Sequence, residues 1–196
     1  MATTLIVGLG NSDPQYEDTR HNLGILFLDH LAKKNNTDLL LDKKTDARIA
    51  KTSLLIGGKK RSVVLARLES FVNTSGPVIA KLKAQVQAKP EDIIILHDDL
   101  DIPLGSVKLS FDKNSGGHRG IESIMKALKT KKFFRIRLGI ATNVLKKAYQ
   151  QNTTAKDEFI KDFVLSKFSP KEKELIKKIF ADASKLLESP GTQLAQ

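Results

Sequence analysis

Apolar and polar positions follow one another along this chain in runs whose period changes, and the period assigns the elements. Residues 4–7 form a short apolar run ending in Gly8-Leu9-Gly10-Asn11, which predicts a buried strand and a turn. Leu23, Leu26, Phe27 and Leu31 recur at helical spacing, so a helix is expected from about Asn22 to Asn35-Asn36. Residues 47–56 and 62–68 read as two strands joined by Gly57-Gly58-Lys59-Lys60. Ser75-Gly76-Pro77 opens a helix over about 78–87, since proline in a first turn sacrifices no hydrogen bond. Ile93-Ile94-Ile95-Leu96 predicts a central strand buried on both faces. Residues 107–111 predict a strand, 112–117 a loop, and 119–128 a helix. Phe134, Ile136, Leu138 and Ile140 alternate with Arg135, Arg137 and Gly139, the period of a half-buried strand.

Residues 141–158 are polar and are expected to form a mobile surface loop. The last helix is strongly signalled. Ser169 is a candidate N-cap, Pro170 sits at the first helical position, and Glu172 and Glu174 suit the positive end of the helix dipole. Its apolar face is Leu175, Ile176, Ile179, Phe180, Ala183 and Leu187, and residues 189–196 are expected to fray. Strands alternating with helices predict a single-domain α/β sandwich over residues 1–196, with helices flanking a central sheet. The hairpin makes that sheet mixed.

Composition narrows the functional classes. The 196 residues are 40% hydrophobic and 28% charged, values ordinary for a globular protein. There is no cysteine, which excludes disulfides, thiolate metal sites and a cysteine nucleophile. No apolar run approaches the ~20 residues that span a bilayer. The first residues lead directly into the apolar run, so no signal peptide is expected and the reading is cytoplasmic, with an organelle left open. The formal net charge of +11 points to a polyanionic partner, against the alternative of a lysine-rich solvated surface.

Four clusters could carry chemistry. Gly8-Leu9-Gly10-Asn11 follows a strand, but the third glycine of a dinucleotide fingerprint would fall at Asp13, with Pro14 after it. The glycines more simply permit a turn presenting Asn11 at a strand end, where open α/β sheets bind ligands. In the same cluster, His21 precedes a helix in a polar run and could act as a base near neutral pH, or merely cap. Asn73 lies at a strand-to-helix junction and could donate to an oxyanion, or cap the helix. His97-Asp98-Asp99-Leu100-Asp101 follows the buried strand. It could bind a divalent cation, orient a histidine, or form an ordinary acidic turn. Ser115-Gly116-Gly117-His118-Arg119-Gly120 could form a nest of N–H donors for an anion, or a flexible loop.

Order and spacing connect these clusters. Gly-Leu-Gly-Asn, Thr-Arg-His-Asn-x-Gly, Asn-x-Ser-Gly, His-Asp-Asp-Leu-Asp-x-Pro-x-Gly and Gly-Gly-His-x-Gly, in this order, resemble the bacterial-type peptidyl-tRNA hydrolase family. The likeness continues through Phe134-Arg135-Ile136-Arg137-Leu138-Gly139-Ile140 and Phe163-Val164-Leu165-Ser166-Lys167-Phe168, and spans about residues 5–187.

The resemblance implies one α/β domain, no cofactor, no metal, and hydrolysis of the ester joining a peptide to the tRNA 3′ end. It implies that His21 is the base activating water and that Asp98 holds its tautomer. Asn11 and Asn73 would bind the peptide main chain, His118 would hold substrate backbone or a water, and Tyr16 would stack on the terminal adenosine. Lys108, Lys113, Arg119 and Arg137 are the candidates for tRNA phosphates, with Arg135, Lys146-Lys147 and Lys167 adding to the field. A monomer with no obligate protein partner is expected.

The chain departs from the family pattern in four places. Asn11-Ser12-Asp13 stands where Asn-Pro-Gly is usual, Arg119 where an Asn follows the histidine, Ser110-Phe111-Asp112-Lys113-Asn114 where a glycine-rich stretch is usual, and Gly139-Ile140-Ala141-Thr142-Asn143 where Gly-Ile-Gly-x-Pro is usual. These bear on tRNA contacts and substrate preference. His21, Asp98, Asn11 and Asn73 are unchanged. Three other readings compete: a non-catalytic RNA-binding protein, a metal-dependent phosphoesterase built on Asp98, Asp99 and Asp101, and a dinucleotide-dependent oxidoreductase, which the failed glycine fingerprint opposes.

Overall fold

A computed structural model describes residues 3–148, 153–189, 191 and 192. Its strands are β1 (Thr4–Gly8), β2 (Leu40–Asp42), β3 (Ala47–Ile56), β4 (Lys59–Leu68), β5 (Ile93–Pro103), β6 (Val107–Phe111) and β7 (Phe134–Ala141). The helices are α1 (Leu23–Lys34), α2 (Ser75–Val86), α3 (Arg119–Leu128), α4 (Asn143–Ala148), α5 (Thr153–Leu165) and α6 (Pro170–Glu188). The strands form one seven-stranded sheet in the order β2-β3-β4-β1-β5-β7-β6. β4, β1, β5 and β7 run parallel, while β2, β3 and β6 are antiparallel to their neighbours, so the sheet is mixed as expected.

Side chains alternate across the sheet and divide the core into two layers. Ile6, Ile94, Leu96 and Ile136 face α1 and α6, packing with Phe27, Leu28, Leu31, Ile179 and Ala183. Leu5, Val7, Ile93 and Ile95 face the other way, onto Val78, Ile79 and Leu82 of α2 and Ile121 and Ile124 of α3. Each such fully buried aliphatic or aromatic side chain contributes ~1.5–3 kcal/mol relative to exposure. The helix ends follow their signals. Asn35 Nδ2 donates to the Leu31 carbonyl at 2.8 Å to close α1. Ser169 and Glu172 form a reciprocal capping box at the start of α6.

Several expectations need correction. β4 begins at Lys59, because Gly57 and Gly58 alone turn the hairpin at φ 59° and 76°, the left-handed pair that a tight two-residue turn requires. β2 was not foreseen, because Leu40 and Leu41 are both exposed on its short edge segment and show no alternation. β5 runs on to Pro103, so His97-Asp98-Asp99-Leu100-Asp101 lies on a strand, with an irregularity after Asp99, and is not a turn. β7 is covered on both faces, since Arg135 is 2% exposed beneath the loop before α3.

The loop expected over residues 141–158 is instead helical from Asn143 onward where described. α4 occupies its start and α5 its end, with Phe159, Ile160, Phe163 and Val164 giving α5 an apolar face against the core. Residues 149–152 lie outside the described residues, as do the side chains of Lys146 and Lys147. In the segment expected to fray, Thr192 is buried and its hydroxyl donates to the Leu186 carbonyl at 2.6 Å. Residues 190 and 193–196 lie outside the described ones.

Candidate active site

The four parallel strands point their C-terminal ends at one edge of the sheet, where open α/β sheets bind ligands. Asn11 follows β1, Asn73 follows β4, and His97 and Asp98 lie on β5. A single helical turn, Arg20–Asn22, delivers His21 to the same edge just before α1. Close packing depends on Gly24. A Cβ there would collide with the carbonyl oxygens of Leu9 and Leu96, so only glycine lets α1 start against the strand ends.

Two histidines converge on one carboxylate oxygen. His21 Nδ1 lies 2.9 Å from Asp98 Oδ1, and His118 Nε2 lies 3.2 Å from the same atom. Hydrogen bonding fixes both tautomers. His118 Nδ1 accepts from the Gly120 amide at 3.1 Å and the Ile121 amide at 3.4 Å, so it carries no proton and Nε2–H donates to Asp98. The ionised Asp98 can only accept, so His21 uses Nδ1–H and leaves Nε2 with a free lone pair. The His21 side chain is 20% exposed and that of Asp98 3%, so the imidazole meets solvent while its partner does not.

The electrostatics agree with this geometry. Burial alone would lower the His21 pKa, but the adjacent Asp98 charge and their hydrogen bond raise it above the ordinary value. Burial alone would raise Asp98, but the charge on His21 and the hydrogen bonds from His118 and His21 hold it far below the ordinary carboxylate range. His97 is fully buried and thereby held well below the ordinary imidazole pKa, so it is neutral near pH 7. Its Nδ1–H donates to the Asp98 carbonyl at 2.6 Å, and its ring packs edge-on against His118 with centroids 4.8 Å apart.

Two asparagines stand at the ends of the neighbouring strands. Asn11 Oδ1 accepts from the Val72 amide at 3.0 Å, which leaves its Nδ2 without a protein acceptor among the described residues. Asn22 holds the Asn11 backbone through two further bonds, at 2.8 and 3.0 Å. Asn73 is exposed in the turn Val72–Thr74 and its side-chain amide has no hydrogen-bond partner among the described residues, so it does not cap α2. Tyr16 is half-buried in the turn Pro14–Tyr16, held through its carbonyl by the Thr19 hydroxyl at 2.8 Å.

The cationic candidates divide. Lys108, Lys113 and Arg119 are exposed and have no ion pair among the described residues. Arg137 is committed to Asp99, with Nε 2.7 Å from Oδ2. Arg135 is buried and donates to the Asn114 carbonyl at 3.0 Å, so it holds the loop before α3 and does not add to a surface field. The anion nest at the start of α3 is not open, because His118 already occupies the Gly120 and Ile121 amides.

A metal could be sought at His21, Asp98 and His118, whose ligand atoms lie within 4.8 Å of one another. The donor set does not fit. His118 would have to offer Nε2 and protonate Nδ1, and Nδ1 faces two amide donors. Asp99 and Asp101 are no better placed, since Asp99 is taken up by Arg137 and by the Asp101 amide at 2.9 Å. A concavity of about 350 Å³ lined by Asp29, Lys33, Asn36 and Asp38 lies at the far end of α1 and contains none of these side chains.

Two residues at the site went unrecognised in the sequence. Asn22 read only as a helix start, although it follows directly on His21. Arg20, inside the same motif, is buried against residues 163–168, a segment that carried resemblance and, apart from Lys167, no role. An arginine beside the candidate base, in a run otherwise suited to a surface turn, was the available signal.

Comparisons with known proteins identify the family and the fold. Residues 5–195 match the family profile described as peptidyl-tRNA hydrolase. The peptidyl-tRNA hydrolase of Aquifex aeolicus (strain VF5) is 37% identical over 191 residues, covering 95% of this chain and 89% of that one. That of Mycobacteroides abscessus is 37% identical over 195 residues, 98% of this chain and 92% of its own. A crystal structure of peptidyl-tRNA hydrolase from Acinetobacter baumannii superposes with a TM-score of 0.78 at 28% identity, over 95% of this chain and 88% of that chain.

Proposed function

The chain belongs to the peptidyl-tRNA hydrolase family and hydrolyses the ester joining a peptide to the 3′ end of tRNA, and we propose that it does so with His21 as general base and water as nucleophile. The observation that carries this reading is the His21 Nδ1–Asp98 contact at 2.9 Å, which commits one ring nitrogen and leaves Nε2 available on a side chain that is 20% exposed. Nε2 takes a proton from water as the oxygen attacks the ester carbonyl. The imidazolium then returns that proton to the departing 3′ oxygen of the tRNA, and Asp98 stabilises the positive charge in between.

The free Nδ2 of Asn11 and the unpartnered amide of Asn73 are suited to the peptide main chain and to the developing oxyanion. Base catalysis supplies ~10²–10⁴-fold and one preorganised donor ~10²–10³-fold, which suffices for an ester without a covalent intermediate. Pairing these amides with peptide groups also favours peptidyl over aminoacyl esters, because a free α-amine would leave them mismatched. Tyr16 stacks on the terminal adenosine, and Lys108, Lys113 and Arg119 face the tRNA phosphates, while Arg137 is held by Asp99. His118 holds Asp98 and lies beside the substrate backbone. The enzyme acts as a monomer, in the compartment where translation strands peptides on tRNA, and returns that tRNA to use. Among the described residues no helix is long and apolar enough to cross a membrane.

The test is release of an N-acetylated amino acid from tRNA in the presence of EDTA, comparing wild type with His21→Ala. Fast release by wild type and none by the variant is the expected result. Chelator-sensitive turnover would instead support a metal, and folded but inactive wild type would leave an RNA-binding protein.

A further inference from the structure

We propose that Arg20 is a positioning residue that keeps the His21 imidazole in register with Asp98, and that residues 163–168 form the socket built to hold it. The inference rests on His21 being the base. Arg20 is 7% exposed, uncommon for an arginine. Its guanidinium packs against two aromatic rings, 4.7 Å from the Phe163 centroid and 4.9 Å from that of Phe168. Nε donates to the Ser166 hydroxyl at 3.0 Å, and Nη2 to Glu172 Oε2 at 3.0 Å. Nη1 lies 3.0 Å from Glu172 Oε1 as an ion-pair contact without hydrogen-bond geometry. The Arg20 amide adds a bond to the Ser166 carbonyl at 3.0 Å, and Thr19 bridges Lys167.

A planar guanidinium held by a carboxylate and packed against two rings is fixed in position and angle together. Such a buried pair is weak evidence for added stability. Its place in the chain gives it another use. Arg20, His21 and Asn22 form one three-residue turn, so fixing the first and last residues leaves the middle one little freedom. Asn22 is tied to Asn11 and Arg20 to the α5–α6 junction, where Glu172 also closes the capping box of α6. The imidazole is thus oriented from both sides before any substrate arrives.

The experiment measures kcat, KM, the pH dependence of kcat and Tm for Arg20→Ala, Arg20→Lys and Phe168→Leu on N-acetylaminoacyl-tRNA. Misplacing a reacting group by about 1 Å costs on the order of 100-fold in rate, so kcat of Arg20→Ala is expected to fall by about that factor with KM little changed. The acid limb of the profile moves to lower pH, because His21 loses the Asp98 contact that raises it. Arg20→Lys recovers only part of the rate, since an ammonium neither forks nor stacks. A purely structural role would lower the amount of folded enzyme and leave the acid limb in place.

A folded variant with wild-type kcat, or a loss of kcat with the acid limb unmoved, overturns the proposal. Where Arg20→Ala does not fold, Phe168→Leu keeps apolar volume while removing one ring face and is read by the same two criteria. His21→Ala run alongside separates the two readings. If that variant stays active the base assignment fails, whereas if it is inactive and the Arg20 and Phe168 variants behave as wild type only the positioning role fails.

Discussion

Asn22 grips both backbone groups of Asn11. Its Oδ1 accepts from the Asn11 amide at 2.8 Å and its Nδ2 donates to the Asn11 carbonyl at 3.0 Å. Asn22 is 2% exposed and Asn11 8%, so neither bond has water to replace it. Asn22→Ala would leave a buried donor and a buried acceptor unsatisfied, at a cost of ~1–3 kcal/mol each before relaxation. The expected outcome is a lower urea midpoint together with a fall in kcat/KM, since Asn11 loses its fixed aim. Asn22→Asp restores the acceptor but sets a carboxylate oxygen against the Asn11 carbonyl, so it is expected to recover less than half of the lost stability. Full recovery by Asp would show that the second bond contributes nothing.

His118 performs two tasks that one substitution can separate. Its Nδ1 caps the first amides of α3, and its Nε2 donates to Asp98. Loss of a helix cap costs about 1 kcal/mol, and Asn is among the best replacements at that position. His118→Asn is therefore expected to keep most of the Tm that His118→Ala loses. It does not restore the imidazole N–H on Asp98, so turnover stays depressed in both. Equal turnover in His118→Asn and wild type would show that this hydrogen bond is immaterial to the reaction.

The shifted groups set the pH profile. A base must be unprotonated, and Asp98 raises His21, so activity is expected to climb with pH through a midpoint above the ordinary ~6.5 of histidine. In Asp98→Asn the charge is gone while burial remains, so the midpoint moves below that value. The same variant loses rate, because nothing then selects the productive tautomer. Stability follows the same linkage. With its folded pKa raised, His21 contributes stability that is full below about pH 6.5 and lost as pH rises through the folded value. With its folded pKa depressed, Asp98 contributes stability that is present above about pH 4 and lost as pH falls through the folded value. Rate and Tm profiles of wild type and Asp98→Asn check both halves. An unmoved acid limb in the variant would remove Asp98 from the site.

Most of the fold was legible because strand and helix periods are local properties. β1, β3, α1, α3 and α6 all follow from spacing, caps and turn residues. α4 and α5 were missed because the segment's first residues are polar, and its apolar face, Phe159 to Val164, comes only in its last turns. β2 was missed because its exposed leucines carry no alternation. At the site, residue types at strand ends pointed to Asn11, Asn73 and Asp98, and a histidine before a helix pointed to His21. Which partner each would choose was not legible. Arg137 looked free until the β5–β7 register put it beside Asp99, and Arg135 looked exposed until the loop after β6 closed over it. Arg20 and Asn22 were overlooked for the same reason, since their partners lie 146 and 11 residues away.

That difference among the arginines and lysines gives the last prediction. Lys108 and Arg137 are directly opposed on β6 and β7, yet only Arg137 has a carboxylate partner among the described residues. A side chain that neutralises a phosphate releases counterions, and each such contact contributes ~0.7–0.9 to the slope of log affinity against log salt. Lys108→Ala and Arg119→Ala are therefore expected to raise KM at low salt, flatten its salt dependence by about one contact each, and leave kcat unchanged. Arg137→Ala should behave differently. It removes the partner of Asp99 and leaves an uncompensated carboxylate next to Asp98, so its effect should appear in Tm and kcat as well as in KM. Measuring KM across a salt series for the three variants distinguishes these cases. If Arg137→Ala changes only the salt slope, its pairing with Asp99 gives way to phosphate when tRNA binds. If Lys108→Ala and Arg119→Ala leave the slope unchanged, the tRNA backbone crosses a different face of the sheet.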